Sequence, residues 1–205
     1  MRAQTAAQQL RLAVSAGEFT PGQKLSEVAA AQRFGISRNT LRESYATLIA
    51  DGVLERIPHR GVFIASPGAA DVHSLFLARA VVEPGALLWG EAPDVETLDR
   101  IVAAAETHQK ADDLAATATA NQEFHRTVVA AAGSDLLNEE MERLLARMRL
   151  VFLQAERRDP GFHGSFVPVN RSVVALLQAG NREEAASLLR ASLLDTSESL
   201  SSLIG

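Results

Sequence analysis

Gly35-Ile36-Ser37-Arg38-Asn39-Thr40-Leu41-Arg42-Glu43 puts a turn glycine, a helix-capping serine and the opening turns of a helix into one short run. Glycine enters positive φ without steric penalty, which suits a tight turn at Phe34-Gly35-Ile36. A serine just before a helix accepts a hydrogen bond from a backbone N–H that otherwise lacks a partner. Ser37 therefore predicts a helix start, with the helix running to about Ala50 and stopping near Asp51-Gly52. Upstream, Thr20-Pro21-Gly22 reads as a turn and Ser26 as the cap of a short helix through about Arg33. Gln4 to Ala16 is helical and ends at Gly17. Downstream, Val53-Leu54-Glu55-Arg56-Ile57 and Gly61-Val62-Phe63-Ile64-Ala65 are strand-like and joined by Pro58-His59-Arg60. Two helices about a glycine turn, followed by a hairpin, make a helix-turn-helix with a wing.

The second helix of that unit has two sides. Leu41, Tyr45, Leu48 and Ile49 share the face that packs inward. Arg38, Asn39, Thr40 and Arg42 stand on the other face at the N-terminal end, beside the cap Ser37. In a helix-turn-helix those first-turn residues meet base edges and phosphates. Arginine can bridge guanine O6 and N7, asparagine can bridge adenine, and hydroxyls suit phosphates. His59, Arg60 and Gly61 form the tip of the wing. The competing reading is a helical module that binds protein, with Arg38 and Arg42 merely solvated.

Charge favours the first reading. The chain has 205 residues and a formal net charge of −5, unevenly divided. Residues 1–66 carry 8 Lys/Arg against 5 Asp/Glu, and the remainder carries 12 against 20. A basic head on an acidic body suits a polyanion-binding module joined to something else. Pro67-Gly68 marks the change of character, so residues 1–66 are expected as one domain and 70–205 as another. The absence of cysteine excludes disulfide scaffolds, thiolate metal sites and cysteine nucleophiles. No uncharged apolar run is long enough to span a bilayer, and the polar, Gln-rich start is unlike a secretory signal, so the expected location is the cytoplasm and no membrane partner is expected. Residues 70–205 read as six helices near 70–91, 94–109, 112–132, 134–156, 165–179 and 181–203, broken at Pro93, Asp112-Asp113, Gly133-Ser134, Pro160-Gly161 and Gly180-Asn181. The expected fold is mainly α, with an antiparallel six-helix bundle behind the winged head.

The run from Gly17 to Ala65 resembles the winged helix-turn-helix of the GntR family of bacterial transcription regulators. The resemblance rests on Gly17-Glu18-Phe19-Thr20-Pro21-Gly22, Leu25-Ser26-Glu27, the run quoted above, Leu48-Ile49-Ala50-Asp51-Gly52-Val53-Leu54 and Arg60-Gly61-Val62-Phe63-Ile64. It implies that Arg38, Thr40 and Arg42 lie at DNA, with Ser37 and Asn39 beside them and Gly61 near the minor groove. One departure is Val28, where family members often place a DNA-contacting arginine. The helical half resembles the FCD ligand-binding domain of the FadR subfamily. The matching pieces are Arg79-Ala80-Val81-Val82-Glu83-Pro84, Asn121-Gln122-Glu123-Phe124-His125, Ala131-Ala132-Gly133-Ser134-Asp135-Leu136-Leu137 and Ala175-Leu176-Leu177-Gln178-Ala179-Gly180-Asn181. Six helices rather than seven imply the shorter, VanR-like form.

The helical half also places polar residues in apolar stripes. Asn121 and His125 continue the spacing of Leu114, Ala118, Val128 and Ala132, so both face inward. Arg79 falls among Val72, Leu75, Val82 and Ala86. Asn170 shares a face with Val173, Val174 and Leu177, and Ser192 with Leu188, Leu189 and Thr196. Buried polar groups need partners, so these five residues are the expected lining of a ligand cavity, the competing reading being satisfied core side chains. The resemblance implies a divalent metal held by an Asp or Asn, a His four residues on and two later histidines. Asn121 and His125 match the first two, but Asn170 and Ser192 stand in the later positions. One imidazole among neutral oxygens is a poor transition-metal site, so no metal and no cofactor are expected. His163 is the one histidine that recruitment could add, while His73 and His108 read as surface residues. A di-iron carboxylate enzyme would need Glu-x-x-His twice, and Gln122 precedes His125 with no second copy, so no enzyme is expected. The expected function is a homodimeric transcription regulator that binds double-stranded operator DNA and answers to a small metabolite, an organic acid whose carboxylate Arg79 would pair. The alternative is a constitutive DNA-binding dimer whose helical half is purely structural.

Overall fold

The computed structural model describes residues 2–159 and 166–205. Their elements follow in the order α1 (Arg2–Ser15), α2 (Glu27–Phe34), α3 (Arg38–Ala50), β1 (Leu54–Ile57), β2 (Gly61–Ile64), α4 (Ala69–Trp89), α5 (Val95–Lys110), α6 (Leu114–Ala130), α7 (Asp135–Arg158), α8 (Phe166–Gln178) and α9 (Arg182–Ile204). The protein is mainly helical, with a winged helix-turn-helix at the N-terminus and a helical C-terminal domain.

Local chemistry explains the breaks. Ser26 Oγ accepts from Ala29 N at 3.3 Å and Ser37 Oγ from Thr40 N at 3.1 Å, capping α2 and α3. Gly35 closes α2 at φ 62°, where any other residue would meet Cβ strain. Asp94, Asp113 and Ser134 cap α5, α6 and α7 in the same way. Pro84 lies inside α4, four residues after the carbonyl of Ala80, whose helical hydrogen bond it cannot supply.

The chain divides into two compact units. One is Met1–Pro67 together with Leu145–Gln154, and the other is Gly68–Leu144 together with Ala155–Gly205. The middle of α7 therefore belongs with the winged head. Ala146 and Leu150 enter the core made by Leu10, Val14, Phe19, Leu41, Tyr45, Leu48, Val53 and Ile64. The sequence leads one to expect 134–156 as an ordinary bundle helix, and the structure has Asp135–Arg158. Its apolar stripe looks the same whichever unit covers it.

In the head, β1 and β2 pair antiparallel from Leu54 opposite Ile64 to Ile57 opposite Gly61. Lys24 adds a bridge to Phe63, so the turn before α2 is tied to the wing. In the second unit, α4 packs most extensively on α9, and further packing joins α5 to α6, α8 to α9, α5 to α8 and α4 to α6. Arg182, the first residue of α9, donates to the carbonyls of Leu87, Gly90 and Glu91, the last two at 2.7 and 2.6 Å. It thereby caps the C-terminus of α4 with a cation, the favourable polarity for a helix end.

Candidate functional site

The exposed end of α3 carries the first set of candidate residues. Ser37, Arg38, Asn39 and Arg42 are exposed and Thr40 is half-buried. The Ser37 and Thr40 hydroxyls lie 2.8 Å apart, so both are oriented by the cap itself. Leu41, Tyr45 and Leu48 are fully buried beneath them, which fixes the rotation of the helix. At the wing, the Arg60 N–H donates to Ile57 O at 3.1 Å, closing a turn with Pro58 second and His59 third. His59 holds φ 60° there, the left-handed conformation a type II turn requires at that position. An open groove of about 560 Å³ runs between the wing tip and the start of α2, lined by Lys24, Leu25, Ser26 and Glu27 on one side and His59, Arg60, Gly61 and Val62 on the other.

Two residues of this face were not singled out in the sequence. Lys24 reaches it through its bridge to Phe63, a long-range pairing with no local signal. Glu27 stands at the first position of α2, and its carboxylate accepts from Arg42 Nε at 3.1 Å and Nη2 at 3.0 Å. Arg38 Nη2 lies 3.9 Å from the same carboxylate oxygen. The hydrogen bond from Arg42 holds the Glu27 carboxyl below the usual carboxylate range, against the small opposing effect of burial. This edge of the head thus carries Lys24, Arg38, Arg42 and Arg60, and a glutamate that engages two of the arginines. Such a surface can grip a polyanion and position arginine forks against base edges.

The second set lies inside the helical unit and resolves into two clusters and an outlier. Arg79 and His125 come together through Glu83, which is completely buried. Glu83 Oε1 accepts from Arg79 Nε at 2.5 Å, and its Oε2 lies 2.7 Å from His125 Nδ1. Burial alone would raise the Glu83 carboxyl, but the Arg79 charge and the His125 contact outweigh it and keep it ionised. Burial lowers His125 below 6.5 despite the neighbouring carboxylate, so near neutral pH it is the neutral ring donating Nδ1–H to Glu83. Arg79 is 2% exposed, and its Nη2 is buried with no hydrogen-bond partner. The other cluster is Asn170 Nδ2 donating to Asn121 Oδ1 at 2.7 Å, one helical turn before His125 on α6.

Ser192 does not join them. It lines a separate open groove of about 300 Å³ with Phe166, Val169, Leu188, Asp195 and Thr196, none of which belongs to either cluster. The four-residue spacing had placed Ser192 on an inward face, but α9 turns that face to α8 rather than to α6. His73 is exposed and His108 half-buried, while His163 lies outside the described residues. Glu83 stood in the sequence four residues after Arg79, and that spacing was the available signal for a buried pair.

The donor set does not fit the metal that the fold family implies. Both Glu83 oxygens are engaged by Arg79 and His125, and the two asparagines bond each other. Ser192 is elsewhere, and no group of three His, Cys, Asp or Glu residues that could hold a metal occurs among the described residues. Nor is any described helix long and apolar enough to cross a membrane.

A winged DNA-reading head with a helical domain containing buried polar clusters defines the class: a DNA-binding regulator with a separate helical domain. The model of bacterial regulatory proteins of the gntR family matches residues 2–64, and that of the FCD domain matches residues 74–195. The chain belongs to the GntR family and carries a C-terminal FCD domain, as the FadR-like regulators do. It is 31% identical over 134 residues, 60% of this chain and 76% of the other, to an uncharacterised HTH-type transcriptional regulator of Agrobacterium vitis from the TAR-I ttuE-ttuC' intergenic region. Over 61 residues, 29% of this chain and 25% of the other, it is 39% identical to the HTH-type transcriptional repressor NagR of Bacillus subtilis. Among solved structures, a chain described as the transcriptional regulator GntR of Rhodococcus sp. RHA1 superposes with a TM-score of 0.84 at 30% identity, covering 97% of each chain. E. coli McbR/YncC shares the fold at a TM-score of 0.82 and 18% identity, over 98% of this chain and 97% of the other. The protein is a DNA-binding transcription regulator.

Proposed function

We propose that this regulator is a homodimer whose helical domain binds a small organic acid and thereby changes the affinity of two α3 helices for a two-fold operator. Arg79 supports this most directly. A buried guanidinium with an unpartnered N–H group has an unmet hydrogen bond, and a carboxylate oxygen is the acceptor that best meets it. Glu83 already balances the Arg79 charge, so a second carboxylate is best accommodated when His125 gains a proton. Effector affinity then rises as pH falls below neutral. The effector acts only through a difference in its affinity for the two arrangements of the dimer.

Dimerisation follows from the reading of a two-fold operator, whose half-sites lie about 34 Å apart. The face available for it is the row Leu77, Val81 and Trp89 on α4, which are 47%, 66% and 82% exposed. Trp89 lies along Gly85, where a Cβ would come 3.3 Å from its ring, so a flat apolar strip results. Light scattering should give twice 22.0 kDa, and Val81→Glu with Trp89→Glu should return the monomer mass.

A thermal-shift screen of organic acids tests the effector, with operator binding measured for each hit. Stabilisation and altered DNA affinity in the wild type, lost in Arg79→Lys, support the reading. Lysine keeps the pair with Glu83 but lacks the second nitrogen. No acid changing either quantity leaves the alternative, a constitutive DNA-binding dimer with a structural helical half.

A further inference from the structure

Arg42 is an exposed cation of the α3 face, and it is already half engaged before DNA arrives. Its Nε and one Nη2 hydrogen point to Glu27, at 3.1 and 3.0 Å. A guanidinium has five N–H donors, so three remain, all at the Nη1/Nη2 end. That end is the fork that can span guanine O6 and N7 or two phosphate oxygens. Arg38, one turn earlier on the same face, meets Glu27 only at 3.9 Å. The two arginines are thereby made unequal. Arg42 is held in one orientation with one edge presented, and Arg38 is held less closely by the same carboxylate.

Glu27 also carries a cost at a surface built for polyanions. It is 27% exposed and lies in the groove between α2 and the wing, beside Lys24, His59 and Arg60. Any phosphate approaching that groove meets its charge. Its backbone is set by the Ser26 cap and the first turn of α2, and its carboxylate is held by the hydrogen bonds from Arg42. A fixed acid in a basic footprint penalises every DNA sequence about equally through its charge. It favours only those sequences that reward a pre-aimed Arg42, because the fork then loses little rotamer entropy on binding.

We infer that Glu27 is a specificity-determining, positioning residue of the DNA-reading face: it aims Arg42 while weakening sequence-independent binding. The inference rests on the reading that α3 faces DNA. Its test uses the full-length protein, an operator duplex selected by the wild type from a randomised pool, and a shuffled duplex of the same composition. In Glu27→Gln, shuffled binding should tighten several-fold and the operator-to-shuffled affinity ratio should fall roughly tenfold, the order of one lost bidentate contact. In Arg42→Ala, the additional Glu27→Gln change should produce no further fall in the ratio, which a general structural role for Glu27 would not predict. Thermal unfolding of each variant confirms that the head is folded. A Glu27→Gln ratio equal to wild type, or a ratio that falls again by the same factor in the double variant, overturns the inference. Arg42→Ala with unchanged affinity for both duplexes overturns the reading of α3 instead.

Discussion

The two halves of this regulator both join arginine to glutamate, with opposite physical consequences. In the head, Arg42 and Glu27 bridge two helices at the surface, with side chains 56% and 27% exposed. In the helical domain, Arg79 and Glu83 lie one turn apart on a single helix, 2% and 0% exposed, with His125 completing the cluster. Water and salt screen the surface pair, so its contribution to folding is small and its value lies in orientation. The interior pair cannot dissociate into water. Glu83 stays ionised there because the Arg79 charge and the His125 contact outweigh its burial. The same two residue types therefore serve presentation in one place and charge balance in the other, and the surroundings decide which.

That contrast is broken most severely by removing one buried charge. Glu83→Gln leaves the Arg79 cation without its counter-ion in a site that excludes water. We expect a loss of about 3–5 kcal/mol, the cost of an uncompensated buried charge. In a chain of this length it should appear as a fall of roughly 10 °C or more in the thermal midpoint of the helical domain. The corresponding change at the surface, Glu27→Gln, should leave the midpoint near the wild-type value. Equal shifts for the two variants would show that burial does not separate the pairs.

Acid provides a smaller and graded version of the same experiment. His125 is lowered from 6.5 in the folded chain, so below that value the unfolded chain binds the proton more readily. Folding stability should therefore decline as pH falls from about 6.5 through the lowered value. The Glu83 carboxyl, also lowered from its ordinary 4.5, adds a second decline further into acid, as pH falls toward its folded value. His125→Gln should remove the first decline and keep the second. A stability profile for that variant parallel to wild type between pH 6.5 and 5 would assign the decline to other groups.

The same contrast explains what could be read from the sequence. The head was legible nearly residue by residue because its signals are local. Ser26, Gly35 and Ser37 form caps and a turn through contacts three or four residues away, and Leu41, Tyr45 and Leu48 mark the buried face by spacing alone. The starts of α5, α6 and α7 were legible for the same reason, each at a capping Asp or Ser, while the expected break at Pro160-Gly161 lies outside the described residues. Which helix faces which was not legible. Spacing placed Ser192 inward, but only tertiary packing sends it to α8 rather than to His125. Spacing likewise could not reveal that Ala146 and Leu150 complete the core of the head. Glu27 lies 15 residues before Arg42, and their pairing exists only once α2 and α3 have packed. Glu83 is the instructive case. It stood in the sequence only as part of the run that resembles the FCD domain, yet four residues from an arginine placed among apolar residues it was the natural counter-ion.

DNA binding should respond on a scale between these stability effects and the local adjustments of the wing. Arg42→Ala is expected to weaken operator binding by about ten- to a hundredfold if its fork spans a guanine, with little change in shuffled-duplex binding. Arg38→Ala should lower both affinities together and reduce the slope of log affinity against log salt by about one. Titrations across salt concentration distinguish the two. Identical behaviour of the variants would contradict the unequal roles that Glu27 imposes.

The smallest expected effect lies at the wing tip, where no charge pair is involved. His59 occupies φ 60° at the third position of its turn, a conformation that costs most side chains about 1 kcal/mol or more. Asparagine tolerates it best among non-glycine residues, so His59→Asn should stabilise the head by about 0.5 kcal/mol. A β-branched residue has its Cβ substituents forced against the backbone, so His59→Val should destabilise it by about 1 kcal/mol or slightly more. The turn hydrogen bond from Arg60 N to Ile57 O holds the conformation in either case. Amide hydrogen exchange at Arg60 reads this bond directly: protection should rise in the asparagine variant and fall in the valine variant. Because His59 lies in the groove with Lys24 and Glu27, DNA affinity should follow the loss of its ring equally in both variants. Affinity that instead tracks Arg60 protection would make turn rigidity, rather than the His59 side chain, the wing's contribution to binding.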